Sequence, residues 1–136
     1  MAAYTGSLLL NLAWTYSNMH QQEMLKGNTD TLLLALLENE PMYGYQIVKE
    51  VDHRSSGYFA FKEGTLYPAL HRLERSHLIE GKWEDTPSNV RRRYYRITPK
   101  GQQALSNRLS EWRQFTSAMN SIMLPVMSNE TGSEPR

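Results

Sequence analysis

The side chains with chemistry to offer cluster in two basic stretches. In "RRRYYR", Arg91 to Arg96, three consecutive guanidiniums precede a pair of tyrosines. A guanidinium is a planar fork of donors that matches phosphate oxygens and the guanine edge. In an extended chain three successive side chains point to alternating faces, so Arg91, Arg92 and Arg93 cannot all pair within one sheet face. The second stretch, "KEGTLYPALHRLER", begins at Lys62. At helical spacing Leu66, Leu70 and Leu73 fall on one arc, while Gly64, Pro68, His71, Arg72 and Arg75 fall opposite, flanked by Thr65. Both stretches suit the binding of a polyanion better than bond-making.

Catalytic and metal chemistry find little support. The chain has no cysteine, so it offers no thiolate nucleophile, no disulfide and no finger-type zinc site. His20, His53, His71 and His77 lack the i, i+4 spacing that puts two imidazoles on one helical face. There is no glycine-rich phosphate loop, and no serine stands in a nucleophile setting. His71 and Glu74 lie i, i+3 on one helix, but a general base needs a pocket, and this helix is expected to be exposed. Neither a cofactor nor a metal is expected.

The formal net charge of the 136 residues is only +1. Its distribution is uneven: residues 62–100 hold nine lysines and arginines against five acids. Local fields rather than totals steer polyanions. The apolar run "SLLLNLAWTY" is too short to span a bilayer and lacks a basic leader. Leu8, Leu9, Leu12, Tyr16 and Met19 instead suggest an amphipathic helix within an extension over residues 1–24. No membrane association is expected, and a cytoplasmic location follows.

The elements that must position the basic residues can be read in order. Asn28 or Thr29 caps a helix whose stripe is Leu32, Leu33, Leu36 and Leu37, with Pro41 past its end. "MYGYQIVKEVDHR" is a second, short helix with Ile47, Val48 and Val51 inward. The Gly-Thr-Leu-Tyr-Pro helix is third. Because a proline is harmless only in the first turn, it should begin close to Gly64 or Thr65. "LIEGKWE" and "RRYYRIT" read as two strands joined by the turn-forming "DTPSNVR". Thr98 caps a last helix with Pro99 at its first position. Its seam is Leu105, Leu109, Trp112, Phe115, Met119 and Ile122. Pro125 should end it, leaving residues 126–136 as a disordered tail. Three helices and a hairpin tipped with arginines make a winged helix-turn-helix, mainly α with a small β-hairpin, followed by a long C-terminal helix.

In that fold the third helix enters the major groove of double-stranded DNA by its N-terminal end. Gly64 and Thr65 keep the first-turn amides accessible to a phosphate. Arg72 and Arg75 are available for guanine edges or backbone, and the arginine wing suits a flanking minor groove or phosphate ribbon. The bland alternative is a surface helix whose arginines are solvated or paired with glutamates such as Glu74. A protein-interaction adaptor on the same fold is the competing function, since the fold also serves that role. A charged recognition face and a triple-arginine wing weigh against it.

"LKGNTDTLLLALL" from Leu25, "YGYQI" from Tyr43, "EGTLYPALHRLE" from Glu63 and "RRRYYRIT" from Arg91 together resemble the PadR family of bacterial transcriptional regulators. The resemblance runs from about Leu25 to Ile122 and is closest to the smaller branch, with its single short C-terminal helix. It implies a winged helix-turn-helix over residues 25–98 and a homodimeric repressor joined through a helix over 99–125. It also implies a response to small phenolic or drug-like molecules. Carried over by position, Tyr43, Thr65, Tyr67, Pro68, Arg72, Arg75 and Arg91 to Arg93 would face DNA, and Lys62, Gly64 and His71 complete the set expected there. Trp112, in the context Ser110-Glu111-Trp112, would stand where two subunits meet and is the candidate for contact with an aromatic effector. Two departures stand out: His77 occupies a position usually held by a left-handed glycine, and the wing tip relies on Asn89 for positive φ.

Overall fold

The computed structural model describes residues 20–132. The amphipathic segment expected over Leu8 to Met19 lies outside them. After helical residues 20–25 the elements are α1 (Thr29–Leu37), β1 (Met42–Tyr43), α2 (Gly44–Arg54), α3 (Glu63–Arg75), β2 (Ile79–Asp85), β3 (Arg91–Ile97) and α4 (Pro99–Gly132). The strands form one antiparallel sheet in the order β1-β3-β2.

Helix α1 is the centre of the fold, packed against α2, α3, α4 and β3. That enclosure explains why Leu34, outside the expected stripe, is as buried as Leu33, while Leu32 is only partly covered. Ile47 and Val51 of α2 and Leu66, Ala69, Leu70 and Leu73 of α3 close the core from two sides. Each fully buried leucine contributes about 2 kcal/mol of transfer free energy.

The second helix starts later than its sequence suggests. Met42 and Tyr43 are extended and pair with Tyr95 and Tyr94 of β3. The N–H of Tyr43 donates to Gln46 Oε1 at 3.1 Å, which fixes the start of α2. The expected two-stranded hairpin is therefore a three-stranded sheet.

Helix α3 begins at Glu63, with Lys62 as its extended N-cap. Pro68 is thus the sixth helical residue, past the first turn where a proline is free of cost. It forfeits the bond to the Gly64 carbonyl, which lies on the solvent side where water can replace it. The helix ends in a left-handed residue as anticipated: His77 has φ 60°. Its N–H bonds to Glu74 O, and the Leu78 N–H reaches back to Leu73 O at 2.9 Å, a Schellman closure. Asn89 supplies φ 66° at the wing tip. There Asn89 N–H donates to Thr86 O, with Pro87 setting the first central position of the turn.

Thr98 caps α4 as expected, its Oγ1 accepting from Gly101 N–H at 3.0 Å while donating to His77 O at 2.6 Å. Two readings of this helix need correction. It does not stop at Pro125 but continues to Gly132, so residues 126–132 are helical rather than a disordered tail. The proline costs only the bond to the exposed Ser121 carbonyl, which water can take. Leu105, assigned to the intersubunit seam, is 2% exposed within its own chain. The first two turns of α4 belong to the domain core.

Candidate nucleic-acid interface

The α3 surface divides into an inner strip, an outer strip and two flanks. Leu66, Ala69, Leu70 and Leu73 face inward. Gly64, Thr65, Pro68, His71 and Arg75 are exposed along the outer side. The flanks are tethered. On one, Arg72 Nη2 donates to Asp30 Oδ1 of α1 at 3.1 Å. On the other, Glu74 Oε2 accepts from Arg93 Nη2 of β3 at 2.7 Å.

The helix start is open. Thr65 and Leu66 N–H groups both turn to Lys62 O, so the amides of Glu63 and Gly64 have no intrahelical acceptor. A Cβ built on Gly64 meets nothing within 4 Å, and its φ is unexceptional. No demand of the fold requires glycine there. Tyr67 is 39% exposed, yet its hydroxyl tucks over Gly44, where an added Cβ would lie 2.7 Å away. Gly44 thereby lets the two helices of the pair approach closely.

The three wing arginines have three different settings. Arg91 is exposed and forms a loose 3.5 Å pair with a still more exposed Asp85. Arg92 lies on the opposite sheet face, its guanidinium carbon 4.3 Å from the Tyr43 ring centroid. Tyr43 also meets Tyr94 edge-on at 5.4 Å. Arg93 turns inward to Glu74, and its guanidinium is 6.0 Å and 5.8 Å from the Trp83 and Tyr95 rings. Its pKa is raised, chiefly by the hydrogen bond to Glu74. Burial pushes the Tyr95 hydroxyl above its ordinary range, and the Glu74 charge adds to the shift.

Sequence alternation separated Arg92 from Arg91 and Arg93, but not the inward from the outward member of the second pair. The signal for it was Gly81. A Cβ there would overlap the Arg93 Nε, so the missing side chain is the slot in which Arg93 lies.

Beyond Leu105, α4 leaves the core. Leu109, Trp112, Phe115, Met119 and Ile122 are all exposed, and Met123, Val126 and Met127 continue the same face. Trp112 and Phe115 form a tilted ring pair with centroids 5.8 Å apart. Beside them, a cavity of about 270 Å³ is lined by Leu25, Leu32, Ala35, Tyr58, Phe59, Leu109 and Trp112, among others. Among the described residues, no helix is long and apolar enough to cross a membrane, and no group of three metal-ligating side chains comes together.

A three-helix core with an open recognition helix and a three-stranded wing defines a winged helix-turn-helix protein carrying a long C-terminal helix. The chain belongs to the PadR-like family of transcriptional regulators, whose family model matches residues 33–107. It is 33% identical to a transcriptional regulator from Clostridium thermocellum, covering 74% of this chain and 97% of that one with a TM-score of 0.68. A PadR family regulator from Clostridium difficile is 38% identical, covering 71% and 99% with a TM-score of 0.64. The fold likeness extends to Bacillus subtilis PadR, solved in complex with operator DNA. That protein is 22% identical over 61% of this chain and 46% of its own, with a TM-score of 0.56.

Proposed function

We propose that this regulator is a homodimeric, cytoplasmic repressor that binds duplex DNA and is released by a small aromatic effector. It acts by binding and not by catalysis. The observation that carries the DNA reading is the outer strip of α3, where free first-turn amides and an unneeded glycine leave room for a phosphate. His71 and Arg75 follow on the same strip, and Arg91 and Arg92 extend from the wing. Lys62, Thr65, Tyr67 and Pro68 complete the surface, and Tyr43 braces Arg92 beneath it. The operator complex of the Bacillus subtilis protein of this fold supports the same reading. Arg72 is more than half exposed, with one donor on Asp30, so Asp30 competes with a base edge for that donor.

The test is salt dependence. Every phosphate neutralised by the protein releases counterions, so removing one cationic partner lowers the slope of log K against log salt by about 0.9. Arg91→Ala and Arg92→Ala should each reduce the slope by about that amount, on random and on selected duplexes alike. If both variants keep the parent slope, the wing does not touch DNA.

The effector reading rests on the cavity beside Trp112, close to the lower size bound of small-molecule sites and lined mainly by apolar groups. It lies between α1 and α4, so a ring inserted there would press the long helix away from the DNA-binding core. Release follows only if the ligand prefers that displaced arrangement. With Trp14 and Trp83 changed to phenylalanine, planar phenolics and cationic dyes should quench Trp112 emission and weaken operator binding together. A broad aromatic panel that does neither would leave Trp112 as a packing residue.

A further inference from the structure

Arg93 and Glu74 are 19 residues apart, on different elements, and they meet across the space between the recognition helix and the wing. The site is built for this meeting. Gly81, facing Tyr95 across the β2–β3 ladder, provides the slot that holds the Arg93 side chain. Trp83, directly opposite Arg93, and Tyr95 flank the guanidinium. The Arg93 side chain keeps 35% of its exposure and that of Glu74 only 24%, far less than the 69% and 85% of Arg91 and Asp85. An arginine so held has its Nη2 donor committed to Glu74 and its guanidinium flanked by two rings inside the molecule.

We propose that Arg93 is a positioning residue, a strut to Glu74 that fixes the distance between wing and recognition helix, and not a phosphate ligand. The inference rests on the DNA-binding reading and refines it. A recognition helix and a wing that enter neighbouring grooves must keep one separation, or only one of them is in register. A strut fixes that separation before DNA arrives, so less ordering is needed on binding. Loss of the strut should therefore impair discrimination among sequences, while attraction to any duplex persists.

Glu74→Gln gives the two roles opposite signs. If Arg93 were a phosphate ligand, removing the neighbouring carboxylate would free it and tighten binding to every duplex. If Arg93 is a strut, the variant should bind a selected duplex about tenfold more weakly, the scale of one charged hydrogen bond. Affinity for random duplex and the salt slope should stay at parent values. Arg93→Ala should share this signature, and Arg93→Lys, which keeps charge and one bond to Glu74, should recover part of the selectivity. A general folding defect would instead lower both affinities along with the melting temperature. Tighter binding by Glu74→Gln, or a slope reduced by about 0.9 in Arg93→Ala, overturns the proposal. A parent that binds no duplex defeats the DNA reading instead. The strut is then judged by a double-mutant cycle in thermal unfolding, where additive effects of Glu74→Gln and Arg93→Ala would reject it.

Discussion

Glutamate at both Phe115 and Met119 is expected to leave each chain folded and to remove specific operator binding almost entirely. Both side chains are about half exposed, at 56% and 41%, and neither belongs to the core of its own chain. The face they share runs from Leu109 to Val126 and is apolar enough to favour burial against a partner. A second copy of the same helix is the simplest cover, since a two-fold axis matches one patch to itself. Four like charges placed in that seam cannot be paired by the opposing face, and burying them is prohibitive. The monomer would keep one recognition helix without the linked half-site, which weakens affinity by about 10²–10⁴. Sedimentation should move from dimer to monomer at micromolar concentration, with the melting of the winged domain preserved. A double variant that remains dimeric and binds its operator would show that the seam lies elsewhere.

The other large effect is expected at Gly101→Ala. Helix propensity alone favours alanine by about 1 kcal/mol, and the geometry reverses the sign. A Cβ at Gly101 would overlap the carbonyl oxygen of Leu78 and stand 2.7 Å from Ile97 Cγ1. The Leu78 carbonyl cannot retreat, because it accepts the Thr98 N–H at 3.0 Å and its own N–H is committed to Leu73. The Ile97 side chain could shift, but on the Leu78 side the obstacle is backbone and no flexible group is there to yield. We expect a destabilisation of about 3 kcal/mol, the upper end of ordinary overpacking, and a melting temperature lower by roughly 10 °C. Gly64→Ala, with open space around it, is the control and should melt no lower than the parent. Equal melting of the two variants would mean that α4 docks on the β2 end differently.

These glycines also show where sequence reasoning reached and where it stopped. Local chemistry was legible: the Thr98-Pro99 helix start, the left-handed His77 and the positive φ of Asn89 all follow from what single residues tolerate. The three helices were legible from their apolar stripes, and the hairpin from two alternating runs on either side of a turn-forming segment. What escaped depends on partners distant in sequence. Met42 and Tyr43 look like the start of a helix until Tyr94 and Tyr95 arrive to pair with them. Leu34 lies off the stripe of a one-sided helix, and only enclosure on several sides buries it. Leu105 fits the seam of a continuous apolar row, but the row passes from one chain's core into open surface between Leu105 and Leu109. In the candidate interface, residue type identified the arginines as a group. Their division into Arg91 outward, Arg92 stacked and Arg93 inward was set by Glu74 and Gly81.

In the proposed homodimer, the passage from Leu105 to Leu109 would tie operator geometry to helix length. One uninterrupted helix is anchored in the DNA-binding core at one end and enters the proposed seam at the other, with no joint between. The phase of the two recognition helices is then indexed by a residue count. Each residue inserted in that turn would advance the seam by about 1.5 Å and rotate it by about 100°. Half-site spacing in such a dimer cannot drift gradually. It can change only in helical steps, and most steps would turn the seam away from its partner.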